Sequence, residues 1–445
     1  MDFLETYSFN NYFIIFLYFS LAIFFILIGK LYFDYLNNIS NNKNSRNNYL
    51  YQSLIPVIGI FIFGNILLVF NFFTGINKPL IYVGFFLVFI FSLIKNYKFL
   101  SSFKIFYINL IVLFISSTNI GISKDANLYH FQNQSWLRDE KIAMGLSNIN
   151  PYLGYSSINE YINSLLWLDN NYILIHFISL YILGSLFELI YKFIRSDSEF
   201  LNKLGYIFLA IGILDNFGLG GGRNGFIFIQ ETFKNDHIFS SLSLIVLLLF
   251  FVTYKSLNDE IGITLLLIVF VFTLQTRFIG HLFFILFIFL IFKKRKIPLK
   301  KNLLTFIFYS LFVLKNIFYS SCLWFPVSFT CLKIVPWNQH MQAEYISKII
   351  INTNKLPNSD ATDKITFLQF IEHFQQTQIN YIVNFLITLL IVIFIFIFLT
   401  RKILINKFQI TLSIFLFLTW LFLAPTYRFG VPFFLAIYYI MSFSY

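Results

Sequence analysis

Long apolar runs alternate with short polar breaks along almost the whole chain. An apolar helix needs about 20 residues to cross the roughly 30 Å hydrocarbon layer of a bilayer, and many of these runs approach that length. The pattern predicts an all-α polytopic membrane protein with about thirteen transmembrane helices in a single transmembrane domain, residues 1–445. The predicted spans are 12–29, 54–73, 79–94, 104–118, 171–192, 204–217, 237–254, 261–275, 278–292, 302–319, 380–400, 409–424 and 431–445.

The basic residues predict the orientation of these spans. Lys and Arg mark the cytoplasmic loops of polytopic proteins, and with thirteen spans the basic clusters all fall on one side. The N-terminus is then outside and the C-terminus inside, in the inner (cytoplasmic) membrane of a bacterium. Two long polar segments, residues 119–170 and 320–379, become outer loops that face the same non-cytoplasmic compartment.

The first outer loop ends in a stretch with apolar residues at helical spacing. Ser157 and Glu160 have the spacing of a capping box at its start. The stretch predicts a helix that lies in the membrane interface with its apolar face in the headgroup region. A short helix buried against the spans is the alternative. Its apolar face holds Ile158, Tyr161, Ile162, Leu165 and Leu166.

The second outer loop carries both cysteines and a similar helical stretch. Cys322 and Cys331 are predicted to form a disulfide, because disulfides persist in an oxidising outer compartment. Two free buried thiols are the alternative. A second interfacial helix is predicted from the apolar stripe of Phe367, Phe370, Ile371 and Phe374.

The amino-acid composition mainly excludes other classes of protein. The chain is 58% apolar and 12% charged, with a mean hydropathy of +0.75, whereas soluble domains carry about 25% charged residues. The net charge of +12 is accounted for by basic cytoplasmic loops, so no nucleic-acid partner is predicted. The histidines lack metal-ligand spacing, so no metal centre or cofactor is predicted, although a divalent metal ion stays open.

Asp125 is the candidate catalytic residue of the first outer loop. It follows the fourth span, where a helix end can hold a carboxylate in place. A carboxylate there could accept the proton of a hydroxyl group. Aromatic rings and side-chain amides come directly after it, and sugar rings need such an apolar face together with hydrogen-bond partners. The candidate sugar-binding residues are Tyr129, His130, Asn133 and Trp136.

Three arginines stand at outer span ends, against the simple charge rule. Arg223, Arg277 and Arg428 could each bind a phosphate group, since a guanidinium makes two parallel hydrogen bonds to it. Contact with lipid headgroups is the alternative for each. Arg277 is the preferred phosphate ligand, because it lies in the polar break between two apolar runs.

The stretch from Asp125 to Ser157 resembles a group of bacterial polytopic proteins found with surface-polysaccharide genes. Their outer loop reads roughly D-x-G-L-Y-H, then a Trp, then P-G-L-x-N-L and L-G-F-N-S-S. The corresponding text here is "DANLYH", Trp136, "MGLSNIN" and "LGYSS", about 35 residues in the same order. Asn127 replaces the usual Gly, and Met144 replaces the usual Pro.

That group is similar in layout to the GT-C glycosyltransferases, which carry a catalytic Asp in the first large outer loop and use polyprenyl-phosphate-linked sugars. The resemblance implies a membrane glycosyltransferase that moves a sugar to a surface glycan, lipid or protein acceptor on the outer face. Asp125 takes the Asp position, and Arg277 with Arg428 or Arg223 holds the donor phosphate. A polysaccharide polymerase or ligase acting on lipid-linked glycans is the first alternative, and a transporter or flippase is the second.

Overall fold

The structure of the protein is a computed structural model. The described part of the chain is mostly helical, and its only strands are one pair of two residues each, which confirms the all-α prediction. The last three predicted spans lie almost wholly outside it. The described residues are 12–39, 48–116, 121–122, 126–167, 172–216, 231–233, 235–255, 259–292, 297–356, 359–360, 362–377 and 383.

Fifteen α-helices and several short turns make up the described chain. The helices are α1 (Tyr12–Ile39), α2 (Asn48–Tyr51), α3 (Ile55–Asn71), α4 (Pro79–Asn96), α5 (Lys104–Ser116), α6 (Phe131–Asp139), α7 (Ile158–Leu165), α8 (Ile173–Ile194), α9 (Glu199–Asn216), α10 (Asp236–Lys255), α11 (Glu260–Thr276), α12 (Phe284–Phe292), α13 (Leu299–Ser320), α14 (His340–Lys355) and α15 (Phe367–Thr377). Strands β1 (Gly121–Ile122) and β2 (Glu231–Thr232) pair in parallel. A π-helical turn covers Ala126–His130, and 3₁₀ turns cover Gln52–Leu54, Tyr97–Phe103, Leu146–Asn148, Pro151–Tyr155, Phe278–Phe283 and Ser328–Thr330.

Each of the first ten predicted spans coincides with a described helix or with a 3₁₀ turn and its following helix. Five helical stretches are long and apolar enough to cross a membrane, which indicates a membrane protein. Three further apolar helices in the described part are shorter. The five are Phe13–Asn38, Tyr49–Asn71, Pro79–Ile115, Ile173–Ile194 and Leu299–Ser320.

The stretch Pro79–Ile115 reverses direction at its centre. The Lys30 ammonium lies 4.6 Å from the centre of the Phe99 ring, near the far end of α1. About three helical turns further on, the chain has returned along α1, because the Tyr18 hydroxyl donates to the Leu110 carbonyl at 3.0 Å. Helices α4 and α5 are therefore a helical hairpin with the turn Tyr97–Phe103 at its tip, as the two separate predicted spans require.

Helices α1 and α3 cross in close backbone contact at two glycines. A Cβ atom placed on Gly29 would lie 1.9 Å from the carbonyl oxygen of Ile55, and one on Gly59 would lie 1.9 Å from that of Phe25. Small residues let membrane helices approach this closely, which increases their van der Waals contact. The two glycines thus set the distance between these helices.

Helices α3 and α11 run in the same direction. The Tyr51 hydroxyl, just before α3, donates to the Asp259 carboxylate, just before α11. Towards the other ends of the helices, the amides of Asn65 and Gln275 exchange hydrogen bonds of 2.8 and 3.1 Å. The two buried amides thus satisfy each other's hydrogen bonds, for which lipid hydrocarbon offers no partners.

Helix α13 follows the same direction. Near its start Lys301 forms an ion pair with Glu260 of α11, and further along Gln275 donates to the Phe308 carbonyl at 3.4 Å. The thirteen-span prediction requires the second, eighth and tenth spans to be parallel, as α3, α11 and α13 are. We call the end that holds Lys301 the basic end, and the opposite end, with the polar segments after α5 and α13, the loop end.

Helix α7, at the loop end, is buried at all eight of its residues. It packs on α3, where Ile158 and Ile162 lie against Gly64. The predicted position of this helix in the membrane interface is therefore wrong, and the alternative of a short helix buried against the spans is correct. The predicted capping box does not form: Ser157 makes no side-chain cap to the helix, and the Glu160 carboxylate is turned to other partners.

The chain divides into two compact units. The first comprises residues 1–189 and 229–340, and everything described so far except α9, α14, α15 and the end of α8 belongs to it. The second comprises residues 190–228 and 341–445. Within it, α15 buries Phe370 and exposes Leu368, while the side chains of Phe367 and Phe374 lie outside the described part. An interfacial position for α15 stays a prediction.

Candidate functional site

Three hydrogen bonds fasten the two polar segments to the loop end of α13. The Gly145 amide donates to the Phe318 carbonyl at 2.7 Å, and the Ser147 hydroxyl donates to the Tyr319 carbonyl at 2.7 Å. The Trp337 indole, from the second segment, donates to the Ile317 carbonyl at 2.9 Å. The Phe318 and Tyr319 carbonyls lie in the last turn of the helix, where carbonyls have no partner within the helix.

The second segment is closed by a disulfide between Cys322 and Cys331, whose Cα atoms are 3.7 Å apart. The loop that it closes presents Phe325 to the first segment. The Phe325 ring packs on Gly154, where any side chain would collide with it, and lies 5.3 Å from the Tyr155 ring. The two polar segments therefore form one structure at the loop end.

A buried cluster of polar side chains lies between α6 and α7. Oε1 of Glu160 is 2.5 Å from Nδ1 of His130, and Oε2 of Glu160 accepts a hydrogen bond from Gln134 at 2.7 Å. The Trp167 indole in turn donates to the Gln134 side chain at 2.7 Å. Both oxygens of the Glu160 carboxylate therefore have hydrogen-bond partners. Gln134, one of these partners, is itself held by Trp167. We call His130, Gln134, Glu160 and Trp167 the polar cluster.

Lys315 brings a second buried charge to this region from α13. Its ammonium donates to the Ser156 carbonyl at 2.7 Å and lies over the Phe312 ring at 4.3 Å. It also attracts the Glu160 carboxylate electrostatically. Burying charges is expensive unless they are paired and hydrogen-bonded, so the carboxylate and the ammonium stabilise each other.

Stacked tyrosines and two buried polar atoms adjoin the cluster. The ring centres of Tyr129 and Tyr152 are 6.2 Å apart, and those of Tyr152 and Tyr155 are 6.3 Å apart. The Tyr155 hydroxyl is buried and has no hydrogen-bond partner among the described residues. Burial raises the pKa of Tyr155 well above its ordinary value, so the hydroxyl keeps its proton.

Asn133 supplies the second of these atoms. Its amide nitrogen donates to the Ser156 hydroxyl at 2.9 Å, whereas its amide oxygen is buried without a partner in the part of the chain that the structure describes. Ser156 is the residue next to Tyr155. A buried hydroxyl and a buried amide oxygen without partners among the described residues thus belong to the same polar segment, whereas buried polar atoms usually have a hydrogen-bond partner.

Arg277 ends α11 at the loop end, with an extended backbone. Gln275, two residues before it, bonds to Asn65 of α3, one residue from the Gly64 on which α7 packs. Phe278, directly after it, faces Trp324 of the disulfide loop, with 6.5 Å between the ring centres. Arg277 itself is half-buried.

The structure brings together three of the residues predicted from the sequence: Tyr129, His130 and Asn133. Trp136 is not in the cluster, since 37% of its side chain is exposed, and Trp167 contacts Gln134 instead. Asp125, Arg223 and Arg428 lie outside the described residues. Their roles stay predictions.

Two charged residues of the site were not among those predicted, Glu160 and Lys315. The spacing of Glu160 to Ser157 indicated a helix cap. No feature of the sequence around Glu160 predicts its contact with His130, which is thirty positions away. Lys315 did carry a signal, because a charged residue within an apolar span is a candidate functional residue by itself.

No group of three His, Cys, Asp or Glu side chains that could hold a metal ion occurs within the described ranges. His130 is bonded to a carboxylate and an aromatic ring lies against it, with 4.1 Å between the centres of the His130 and Tyr129 rings. Hydrogen bonds between side chains hold the polar cluster together.

No curated protein and no solved structure matches the chain. One family model does, over residues 12–435, which is nearly the whole of the 445 residues. The chain therefore belongs to the family described as a domain of unknown function (DUF8201).

Proposed function

We propose that the protein is a GT-C-like membrane glycosyltransferase with about thirteen transmembrane helices. It moves a sugar from a polyprenyl-phosphate-linked donor to a glycan, lipid or protein acceptor at the outer face of the bacterial inner membrane. In this proposal the N-terminus is outside and the C-terminus inside, so the loop end faces the outer compartment. Membrane lipids surround the bundle, and the donor reaches the site from them.

One observation supports this function most directly. The buried hydroxyl of Tyr155 and the buried amide oxygen of Asn133 lack partners among the described residues, and stacked tyrosine rings stand beside them. A sugar offers hydroxyl groups to such polar atoms and a flat apolar face to such rings. Asn133 and Tyr129 are also among the four residues for which the sequence alone indicated sugar binding.

The reaction needs a base and a cation beside this sugar site. Asp125 is bonded to Ala126, the first residue of the turn that carries Tyr129 and His130, and in this proposal it accepts the proton of the acceptor hydroxyl. Arg277, with Arg428 or Arg223, holds the donor phosphate. The acceptor oxygen displaces the polyprenyl phosphate in one step, so the configuration at the anomeric carbon is inverted.

A polymerase or ligase of lipid-linked glycans is the second candidate. Arg277 favours it equally, since such enzymes also bind a lipid phosphate at the outer face. The two candidates differ in their donor: a polyprenyl monophosphate carrying one sugar for the transferase, and a polyprenyl diphosphate carrying an oligosaccharide for the polymerase or ligase.

An assay with the purified protein in lipid nanodiscs distinguishes these two candidate functions. Each donor class is incubated with a panel of acceptor glycans, and the released polyprenyl phosphate or diphosphate is measured by mass spectrometry. The proposal predicts that polyprenyl monophosphate is released from single-sugar donors. Release of the diphosphate alone would favour the polymerase or ligase.

A further inference from the structure

His130 and Glu160 form an oriented pair whose geometry goes beyond the needs of packing. Glu160 accepts hydrogen bonds only, when ionised, so the hydrogen in its 2.5 Å contact belongs to Nδ1 of His130. A neutral histidine with its hydrogen on Nδ1 carries the basic lone pair on Nε2. Among the described residues no group bonds to Nε2. The carboxylate therefore fixes which nitrogen of His130 can accept a proton.

The orientation of the Glu160 carboxylate is fixed by further hydrogen bonds. Its second oxygen is held by Gln134, and Gln134 is held by Trp167. His130 and Gln134 are four residues apart and lie on the same face, one helical turn from each other, so both reach the same carboxylate. His130 is 3% exposed and Glu160 is 2% exposed, which protects the pair from competing water.

The pair is also next to the proposed sugar site. Asn133, with its unpartnered amide oxygen, is three residues from His130 on the same helical face. The other described titratable or charged groups around the pair come from α7, α13 and the turn itself. They are Tyr161, Lys315, Tyr319 and Tyr129.

We infer that His130 is a proton-relay residue of the site and that Glu160 is the residue that positions it. This inference rests on the proposed function. As the acceptor oxygen bonds to the anomeric carbon, the bond from that carbon to the phosphate oxygen breaks and its electron pair leaves with the polyprenyl phosphate. The hydroxyl proton leaves the acceptor oxygen as the new bond forms, and Nε2 of His130 takes it up and releases it after the product has left.

The test uses His130→Asn, Glu160→Gln and the control His340→Asn in the full-length protein in nanodiscs. Asparagine keeps an N–H group near the position of Nδ1, so it preserves the hydrogen bond to Glu160 and removes the second nitrogen. His340, a half-buried histidine at the start of α14, receives the same substitution away from the cluster. Transfer rate is measured against pH, and folding is measured by thermal unfolding.

The relay predicts that wild-type transfer rises with pH along an acidic limb, because His130 must be neutral to accept a proton. In His130→Asn the rate falls about 100-fold, in the range typical of acid–base catalysis, and the acidic limb disappears while the unfolding temperature is kept. Glu160→Gln lowers the rate about 10-fold and shifts the limb. The His340→Asn control has the wild-type profile.

An unchanged acidic limb in His130→Asn, or a rate within twofold of wild type, would overturn the relay while leaving the glycosyltransferase proposal intact. Unfolding of both His130→Asn and Glu160→Gln would assign the pair a structural role and overturn it too. If the wild-type protein transfers sugar from neither donor class, the proposed function is wrong, and this inference fails with it.

Discussion

Lys315, on the apolar helix α13, donates a hydrogen bond from its ammonium group to the backbone carbonyl of Ser156 at 2.7 Å. The bond ties a helix long enough to cross a membrane to the segment that carries the polar cluster. Because the ammonium also attracts Glu160, a single side chain supports both the position of this segment and the charge of its carboxylate.

Replacing Lys315 with Met should destabilise the protein strongly. The substitution keeps the length of the side chain, yet it leaves the Ser156 carbonyl without its donor and the Glu160 carboxylate without its nearby cation. Leaving a buried acceptor without its hydrogen-bond donor costs about 1–3 kcal/mol. The apparent unfolding midpoint in detergent, followed by tryptophan fluorescence, should fall.

The matched control is Lys348→Met. Lys348 forms an exposed ion pair with Glu344 one helical turn away, at 2.8 Å, and exposed pairs of this kind contribute little. Equal unfolding midpoints for the two variants would mean that the buried contact of Lys315 does not stabilise the loop end.

The glycine crossing of α1 and α3 gives a second prediction, about packing. Gly59→Ala would place a methyl group 1.9 Å from the Phe25 carbonyl oxygen, so the helices must separate. Overpacking of this kind costs about 1–3 kcal/mol, and the yield of folded protein on size-exclusion chromatography should drop. Gly84→Ala is the control, because no atom lies within 4 Å of its added methyl group. A normal yield for Gly59→Ala would show that the crossing is looser than described.

The third prediction concerns orientation. Met144 is an exposed residue of the first polar segment, and Lys300 is an exposed residue at the basic end. In intact cells, a membrane-impermeant maleimide should label Met144→Cys and not Lys300→Cys. Both should be labelled after permeabilisation. The native cysteines are joined in a disulfide and give no background signal. The reverse labelling pattern would invert the membrane orientation and place the site in the cytoplasm.

The helices of the bundle were predictable because their signal is local. Length and apolarity alone mark α1, α3, α8 and α13, and the basic turn between α4 and α5 separates that hairpin into two spans. Helix α14 was not predicted, since its sequence mixes polar and apolar residues and lies inside a segment that reads as a loop. Local composition does not distinguish a polar helix from a polar loop.

The site was predictable only in part, for a related reason. Tyr129, His130 and Asn133 stand out as a run of aromatic and hydrogen-bonding residues in an apolar chain. Their partners do not, because Glu160 and Lys315 reach them through tertiary contacts 30 and more positions away. The capping-box spacing of Ser157 and Glu160 predicted a helix cap that does not form. The Glu160 carboxylate bonds to His130 instead.

The measurement that tests the central claim most directly is the transfer rate of Asp125→Asn with a polyprenyl-monophosphate sugar donor. Asparagine preserves the shape of the side chain and removes the basic carboxylate, so transfer should be abolished while the amount of folded protein is unchanged. Asp139→Asn, the same change at an exposed residue of the same segment, should transfer at the wild-type rate. Full activity in Asp125→Asn would contradict the assignment of Asp125 as the catalytic base and with it the GT-C-like account.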